Sequence, residues 1–266
     1  MYRIVLLPTA CLLIFLPHQV ASSQTVQENL YGTNGPVSAI AVSGNTIFLG
    51  GSFTQVGLCT GGLARLDTVT GIADRKFPKV AGQVFTMLED GSGGWYVGGS
   101  FTSIGGVPRN SLAHLRSDMS VESGWDPNVI GSVYALALSG DTLFVGGDFS
   151  SIGGFQSDWK SCLLSVRLSS GALNHWNPAA LGTVKALAVI GRRLYVAGEF
   201  QYLGAQDTLI LGGDRPFTRG LAAVDVSTAY RVWSSDTDAD GIVESMLIAN
   251  STMYFGGRFS SVKGEG

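Results

Sequence analysis

Charge is sparse in this sequence: Asp, Glu, Lys and Arg make up 14% of its 266 residues, and 17 basic against 20 acidic side chains leave a formal net charge of -3. Such a balance has no basic stripe, which excludes the electrostatic footprint of a nucleic-acid-binding protein. Proline is scarce too, with 8 residues against 37 glycines; turns are abundant, and neither collagen-like nor linker character fits. The 3 cysteines and 3 histidines fall in no C-x-x-C or H-x-x-x-H spacing, so no zinc-ligand pattern exists. No G-x-S-x-G, P-loop or dinucleotide fingerprint occurs either. Helical periodicity is missing, and apolar residues come in short segments bounded by Gly, Ser, Asn, Asp or Pro, as in strands.

The one long hydrophobic run lies at the N-terminus. Arg3 precedes an apolar stretch from Ile4 to Leu16, followed by small residues from Ala21 to Ser23. That is the layout of a secretory signal peptide over 1–23, with cleavage near Ser22 to Gln24. The run is shorter than the ~20 residues of a membrane span, so the mature chain is expected to be secreted or at the cell surface, with no transmembrane segment after signal cleavage. Cys11 sits inside the run, not at its end. Of the mature chain's Cys59 and Cys162, no disulfide is expected, because they fall in non-neighbouring repeats and a bridge needs a Cα separation of about 4.4–6.8 Å.

Repetition is the dominant signal. A glycine pair recurs inside a strand-like segment, with its second member at Gly51, Gly99, Gly147, Gly198 and Gly257. Ahead of it run VSAIAV, VFTML, VYALAL, VKALAV and VESMLI, from Val37, Val84, Val133, Val184 and Val243. Behind it come LARLD, LAHLR, LLSVR and LAAVD, then KFP, GWDP, HWNP and VWSS. Four short strands per unit of about 50 residues mark a β-propeller blade.

The expected fold is all-β: a β-propeller of four-stranded blades, four complete and the first half of a fifth, as a fragment of a larger closed propeller. Blades start near 37, 84, 133, 184 and 243 within a repeat region 37–266, and 24–36 is a lead-in that could supply a closing strand. Glycine within a strand weakens it. Here the pairs are expected to let blades approach closely, with Phe53, Phe101, Phe149, Phe200 and Phe259 filling the space between. Small residues at Ala39, Thr86, Ala135, Ala186 and Ser245 suit a first strand lining a crowded channel, and Trp125, Trp176 and Trp233 are expected on the outer rim.

The V-x-A-L-A-V strand, the GGxF strand and the W-[DN]-P segment together resemble the delta-60 repeat β-propellers of secreted bacterial proteins, over residues 37–266. More distantly they are similar to kelch propellers, with their double glycine, and to the propeller of a fungal cortical polarity marker. The resemblance implies the fold; propellers host many unrelated activities.

The sharpest chemical motif is DTDADGIVE at 236–244. Asp236, Asp238, Asp240 and Glu244, with the Ile242 carbonyl, match a loop that sets alternate oxygens around a hard cation. It is similar to the calcium loops of integrin-type propellers, and one structural calcium ion is the candidate cofactor. The competing reading is the Asp-Gly turn that delta-60 repeats place before the first strand. A segment at 205–220 is an insertion in the fourth repeat, EDGSGGW at 89–95 reads as an elongated hairpin turn, and His114 and His175 read as half-exposed strand residues.

No catalytic constellation emerges, so the expected role is a non-enzymatic binding or scaffold module with a protein or glycan partner. Residues after the glycine pair, Ser52, Ser100, Asp148, Glu199 and Arg258, differ from repeat to repeat, unlike a shared catalytic position. A carbohydrate-active enzyme with its site at the channel mouth, or a spacer for another domain, are the alternatives.

Overall fold

The structure, a computed structural model, describes residues 33–262 apart from 57, 60, 75, 153–154, 157–161, 179, 204–219, 234–238 and 250–251. The signal-peptide assignment, the lead-in before residue 33 and all but the last residue of the 205–220 insertion lie outside the described residues, as does the Cys59 side chain. Among the described residues no helix is long and apolar enough to cross a membrane.

Alternating apolar segments and Gly-rich turns produce consecutive antiparallel hairpins, each the inner part of a blade. Blade 1 pairs Val37–Ser43 with Thr46–Gly51 and then Leu63–Asp67. Blades 2, 3 and 4 repeat the order with Val80–Glu89, Trp95–Ile104 and Leu112–Leu115; Ile130–Ser139, Thr142–Ile152 and Leu163–Arg167; and Leu181–Ile190, Arg193–Tyr202 and Leu221–Asp225. In blade 5 Ile242–Ala249 pairs with Thr252–Arg258. Among the described residues the fourth strand forms a ladder in blade 4, as Arg231–Trp233. In blades 1 to 3 it shrinks to single bridges, Leu66 to Ala73, Leu115 to Val121 and Val166 to Leu173. The turns before the fourth-strand position are tied by the same backbone bond in blades 1, 3 and 4, from Gly71 N, Gly171 N and Ala229 N to Asp67 O, Arg167 O and Asp225 O.

The glycine pair divides its labour. A Cβ on the first glycine would meet the neighbouring blade: from Gly50 it would lie 2.7 Å from Val84 Cγ1, from Gly98 2.6 Å from Val133 Cγ1 and from Gly146 2.5 Å from Val184 Cγ1. A Cβ on the second would run into its own blade, at the carbonyls of Pro36, Gln83, Ser132, Thr183 and Ile242 for Gly51, Gly99, Gly147, Gly198 and Gly257. Only half of the pair therefore serves blade-to-blade approach; the other half serves a β-bulge. Every first strand slips register at one shared place, between Val37 and Ala39, Val84 and Thr86, Val133 and Ala135, Val184 and Ala186, and Val243 and Ser245, and those of blades 2, 3 and 4 slip a second time, between Ala81 and Gly82, Ile130 and Gly131, and Leu181 and Gly182. A further glycine precedes each bulge by two residues, and Gly82, Gly131 and Gly182 hold φ of 138°, 130° and 120° there, a region L-residues rarely adopt.

These joints are where the core sits. Val84, Val133, Val184 and Val243 are fully buried, each seated on the glycine, or on Ala197 in the last case, of the blade before. One apolar cluster joins Phe48 and Leu63 of blade 1 to Val84, Val97 and Phe101 of blade 2; the next runs from Tyr96 and Leu112 to Val133 and Phe149, and the next from Phe144 and Leu163 to Val184 and Phe200. Phe53, Phe101, Phe149 and Phe200 are buried as expected, whereas Phe259 is only partly so. At the two ends of the row the halves are unmatched: Val37 is 40% exposed, and the nearest atom to a Cβ on Gly256 is Ser245 Oγ at 3.5 Å.

Trp125 and Trp176 do not lie on the rim as expected but span the joints. Both are buried, and their Nε1 groups donate to Arg167 O and Asp225 O of the following blade at 3.4 and 3.1 Å. An indole is large enough to reach across, and its N–H finds the next blade's turn as the partner that burial demands. Cys162 is buried within the blade 3 to blade 4 cluster.

Candidate functional site

The centre of the third strand carries a different side chain in each complete blade. Register places Arg65 opposite Phe48, His114 opposite Tyr96, Ser165 opposite Phe144 and Ala223 opposite Tyr195. In blades 1 to 3 the second-strand ring also packs on the ring that follows the third strand: Phe48 on Phe77 at 5.9 Å, Tyr96 on Trp125 at 5.2 Å and Phe144 on Trp176 at 4.7 Å between centroids. Each such slot thus has an aromatic floor and wall with a different polar occupant.

In blade 2 the occupant is a histidine held in a network. His114 stacks on Tyr96 at 4.5 Å, meets Trp125 edge-on at 5.8 Å, and sets Nε2 2.9 Å from Asp90 Oδ2. Asp90 Oδ1 also accepts from the backbone N–H groups of Ser92 and Gly94 at 2.7 and 2.8 Å. That is why EDGSGGW forms a tight turn: its aspartate is the turn's internal acceptor. Burial pushes the Asp90 carboxyl up, but hydrogen bonds from His114, Ser92 and Gly94 outweigh it and hold the group below the usual carboxylate range. A folded value below the unfolded one contributes stability that is present above about pH 4 and lost as pH falls through the folded value. Asp90→Asn is therefore expected to flatten the acid limb of the stability profile, read as the urea midpoint against pH. An unchanged acid limb would remove Asp90 from this role. These bonds give the pair a structural role, tying the hairpin turn to the third strand.

The 236–244 loop is described only in part, with Asp236 and Asp238 outside the described residues. Asp240 accepts from the backbone N–H groups of Ser260 and Ser261 at 2.7 and 3.0 Å and from both their hydroxyls. Asn34 does the same in blade 1, where its Oδ1 accepts from Thr54 N at 2.7 Å. Both residues precede the glycine of the bulge and tie the chain beyond the second strand back to the first. The Ser260 hydroxyl, followed by the backbone N–H groups of Ser261 and Ser260, drives the Asp240 pKa far down. Glu244 is exposed and pairs with Arg258 Nε at 2.9 Å, and the Ile242 residue faces Arg258 across the hairpin. Among the described residues no three His, Cys, Asp or Glu side chains gather as a metal site. His175 is exposed.

Residues 92–123, which begin inside the Asp90 turn and carry the second and third strands of blade 2, match the family described as "Domain of unknown function (DUF5122) beta-propeller". The fold is a β-propeller. No curated protein matches the sequence. Solved structures similar to it include the computationally designed Ika4 protein (14% identity, 67% of this chain and 99% of that one, TM-score 0.43) and Ika8 protein (14%, 88% and 73%, 0.48). Another is the WD40 domain of Pan2 from Neurospora crassa (12%, 81% and 56%, 0.45).

Along this propeller the bulges do more than bend strands. The extra residue of each, Ser38, Phe85, Tyr134, Lys185 and Glu244, has no ladder partner and is re-aimed out of the strand. In the middle blades these side chains meet from one blade to the next: Phe85 lies 5.1 Å from Tyr134 between centroids, and Lys185 Nζ sits 4.1 Å over the Tyr134 ring. All three are half-buried. The sequence carries one trace of these bulges, which only the aligned repeats bring out: a single glycine two residues before each of Val37, Val84, Val133, Val184 and Val243.

Proposed function

We propose that the chain is an exported, non-enzymatic propeller of the delta-60 type that acts as a binding or scaffold module at the cell surface. The observation that carries the reading is the Phe85–Tyr134–Lys185 file. Two aromatics and a cation stand side by side, partly open to solvent, at a position that the core leaves free to vary. Aromatic and basic residues of this kind are the anchors of protein interfaces, and a cation over a ring adds electrostatic attraction for a partner's acidic or aromatic groups. The residue type changes from blade to blade, which suits recognition by a surface and not a repeated catalytic step.

The test is retention of the exported chain on a panel of purified cell-wall polysaccharides and cell-surface proteins. Tyr134→Ala is expected to weaken the retained interaction at least tenfold, on the order of 2 kcal/mol for an interface anchor, with an unchanged thermal midpoint. Equal retention of Tyr134→Ala and Lys185→Glu would remove the file from recognition. Failure of the wild-type chain to bind any member would remove the module reading.

A further inference from the structure

Each joint between blades is made of two unlike faces, and the row of described blades ends in one of each. Toward the blade before it, a first strand presents its valine and the residues three and five positions further on. In blade 3 these are Val133, Leu136 and Leu138, packed in the cluster shared with blade 2. In blade 4 they are Val184, Leu187 and Val189, packed in the cluster shared with blade 3. Blade 1 carries the same set as Val37, Ile40 and Val42, and there the three are 40%, 59% and 64% exposed.

Toward the blade after it, a second strand presents a ring and, two residues on, the first glycine of the pair: Phe48 with Gly50, Tyr96 with Gly98, and Phe144 with Gly146. Those three rings are buried, and the valine of the next blade fills the space over each glycine. Blade 5 repeats the arrangement with Tyr254 and Gly256, and Leu247 lies opposite Tyr254 across the hairpin. Here Tyr254 is 59% exposed, Leu247 is 43% exposed, and the space over Gly256 is open. Contiguous apolar residues left in water mark an interaction site. The exposure of both faces also means that neither covers the other within one chain.

We propose that these two faces dock on each other between copies of this chain, with Val37 of one copy seated over Gly256 of the next. The occupant of the Gly256 face is a second copy because blade 1 presents, position for position, the residues that the interior joints already seat on such a glycine. The docking continues the interior joint across a chain boundary and needs no new kind of contact. Because it joins unlike patches, it is a head-to-tail association, which closes into a ring where the rotation allows and otherwise extends. It draws on the joints alone, apart from the Phe85–Tyr134–Lys185 file.

The experiment is sedimentation velocity of the exported chain across the micromolar range, where reversible association is expected. Ile40→Glu puts a carboxylate without a partner into one face, and Gly256→Leu blocks the other. Each is expected to raise the dissociation constant about 100-fold, while the urea midpoint of the separated copies stays that of the wild-type chain. Each variant keeps one unaltered face, so an equimolar mixture of the two is expected to recover a two-copy species and nothing larger. Val37→Lys and Tyr254→Lys carry the test if either first variant fails to fold. A chain that sediments as a monomer throughout overturns the proposal, and protection of both faces from hydrogen exchange in that monomer would assign their cover to the chain itself. Association that survives both variants also overturns it, as does association that responds to only one of them, which would be a joint between like faces.

Discussion

Gly99→Ala is expected to cost about 3 kcal/mol or more of stability, although it adds one methyl group, because that methyl points into backbone and not into a side chain that can swing away. The Cβ would collide with the Gln83 carbonyl and lie 2.9 Å from Val84 Cα. Relief would require opening the bulge between Val84 and Thr86, which seats Val84 on blade 1. The neighbouring Gly98→Ala meets side-chain methyls of Val133 and Thr86, not backbone, at 2.6 and 2.7 Å and is expected to cost less, about 1–3 kcal/mol of overpacking. Gly256→Ala, with open space around it, is expected to be neutral or to stabilise by up to about 1 kcal/mol through the unfolded chain. Urea midpoints at constant slope rank the three. An equal loss at Gly256 and Gly99 would mean that the glycines act through backbone freedom alone and not through close approach.

Trp125→Ala is expected to destabilise by about 3–5 kcal/mol, the range for removing a buried indole. Its ring is almost completely buried in a cluster with Tyr96, Val133, Leu143 and Val166, residues of two blades. The loss therefore falls on the joint, and hydrogen exchange is expected to rise together in the third strand of blade 2 and the first of blade 3. Trp125→Phe keeps most of the packing and gives up the bond to Arg167 O, at about 0.5–1.5 kcal/mol. If alanine and phenylalanine cost the same, the hydrogen bond and not the packing holds this joint.

The hairpins were legible because they are written in neighbouring residues: an alternating segment, a Ser-Gly or Asp-Gly turn, another alternating segment. The buried valines were legible for the same reason, since Val84, Val133 and Val184 each open an apolar segment at the same repeat position. The bulges were not, because a bulge is a mismatch between two strands and neither strand alone records it. Its extra residue therefore looked like noise in the alignment, with Phe85, Tyr134 and Lys185 sharing no chemistry. The fourth segment is legible in its place but not in its length: among the described residues it pairs over Arg231–Trp233 in blade 4 and by single bridges in blades 1 to 3, while Trp125 and Trp176 of the W-[DN]-P segments bond to the adjacent blade. His114 could not be told from an ordinary strand histidine, as its partner Asp90 lies 24 residues away on a turn. Asp240 could have been read better. Aligning Asp240-Gly241 with Asn34-Gly35 shows a cap shared by two repeats, in keeping with the Asp-Gly turn and not specific to a cation loop.

The joint between blades has a consequence for how such a chain changes over generations. Because every interior blade offers the same valine forward and the same small residue behind, any blade fits any other without a matched pair having to arise at once. Duplication or loss of a whole repeat by unequal crossing-over would leave each new neighbour already compatible. The variable residues, carried on bulges and third strands, travel with their blades as passengers. Recognition surfaces can thus be reshuffled by moving intact modules, while the contacts that keep them folded stay common property.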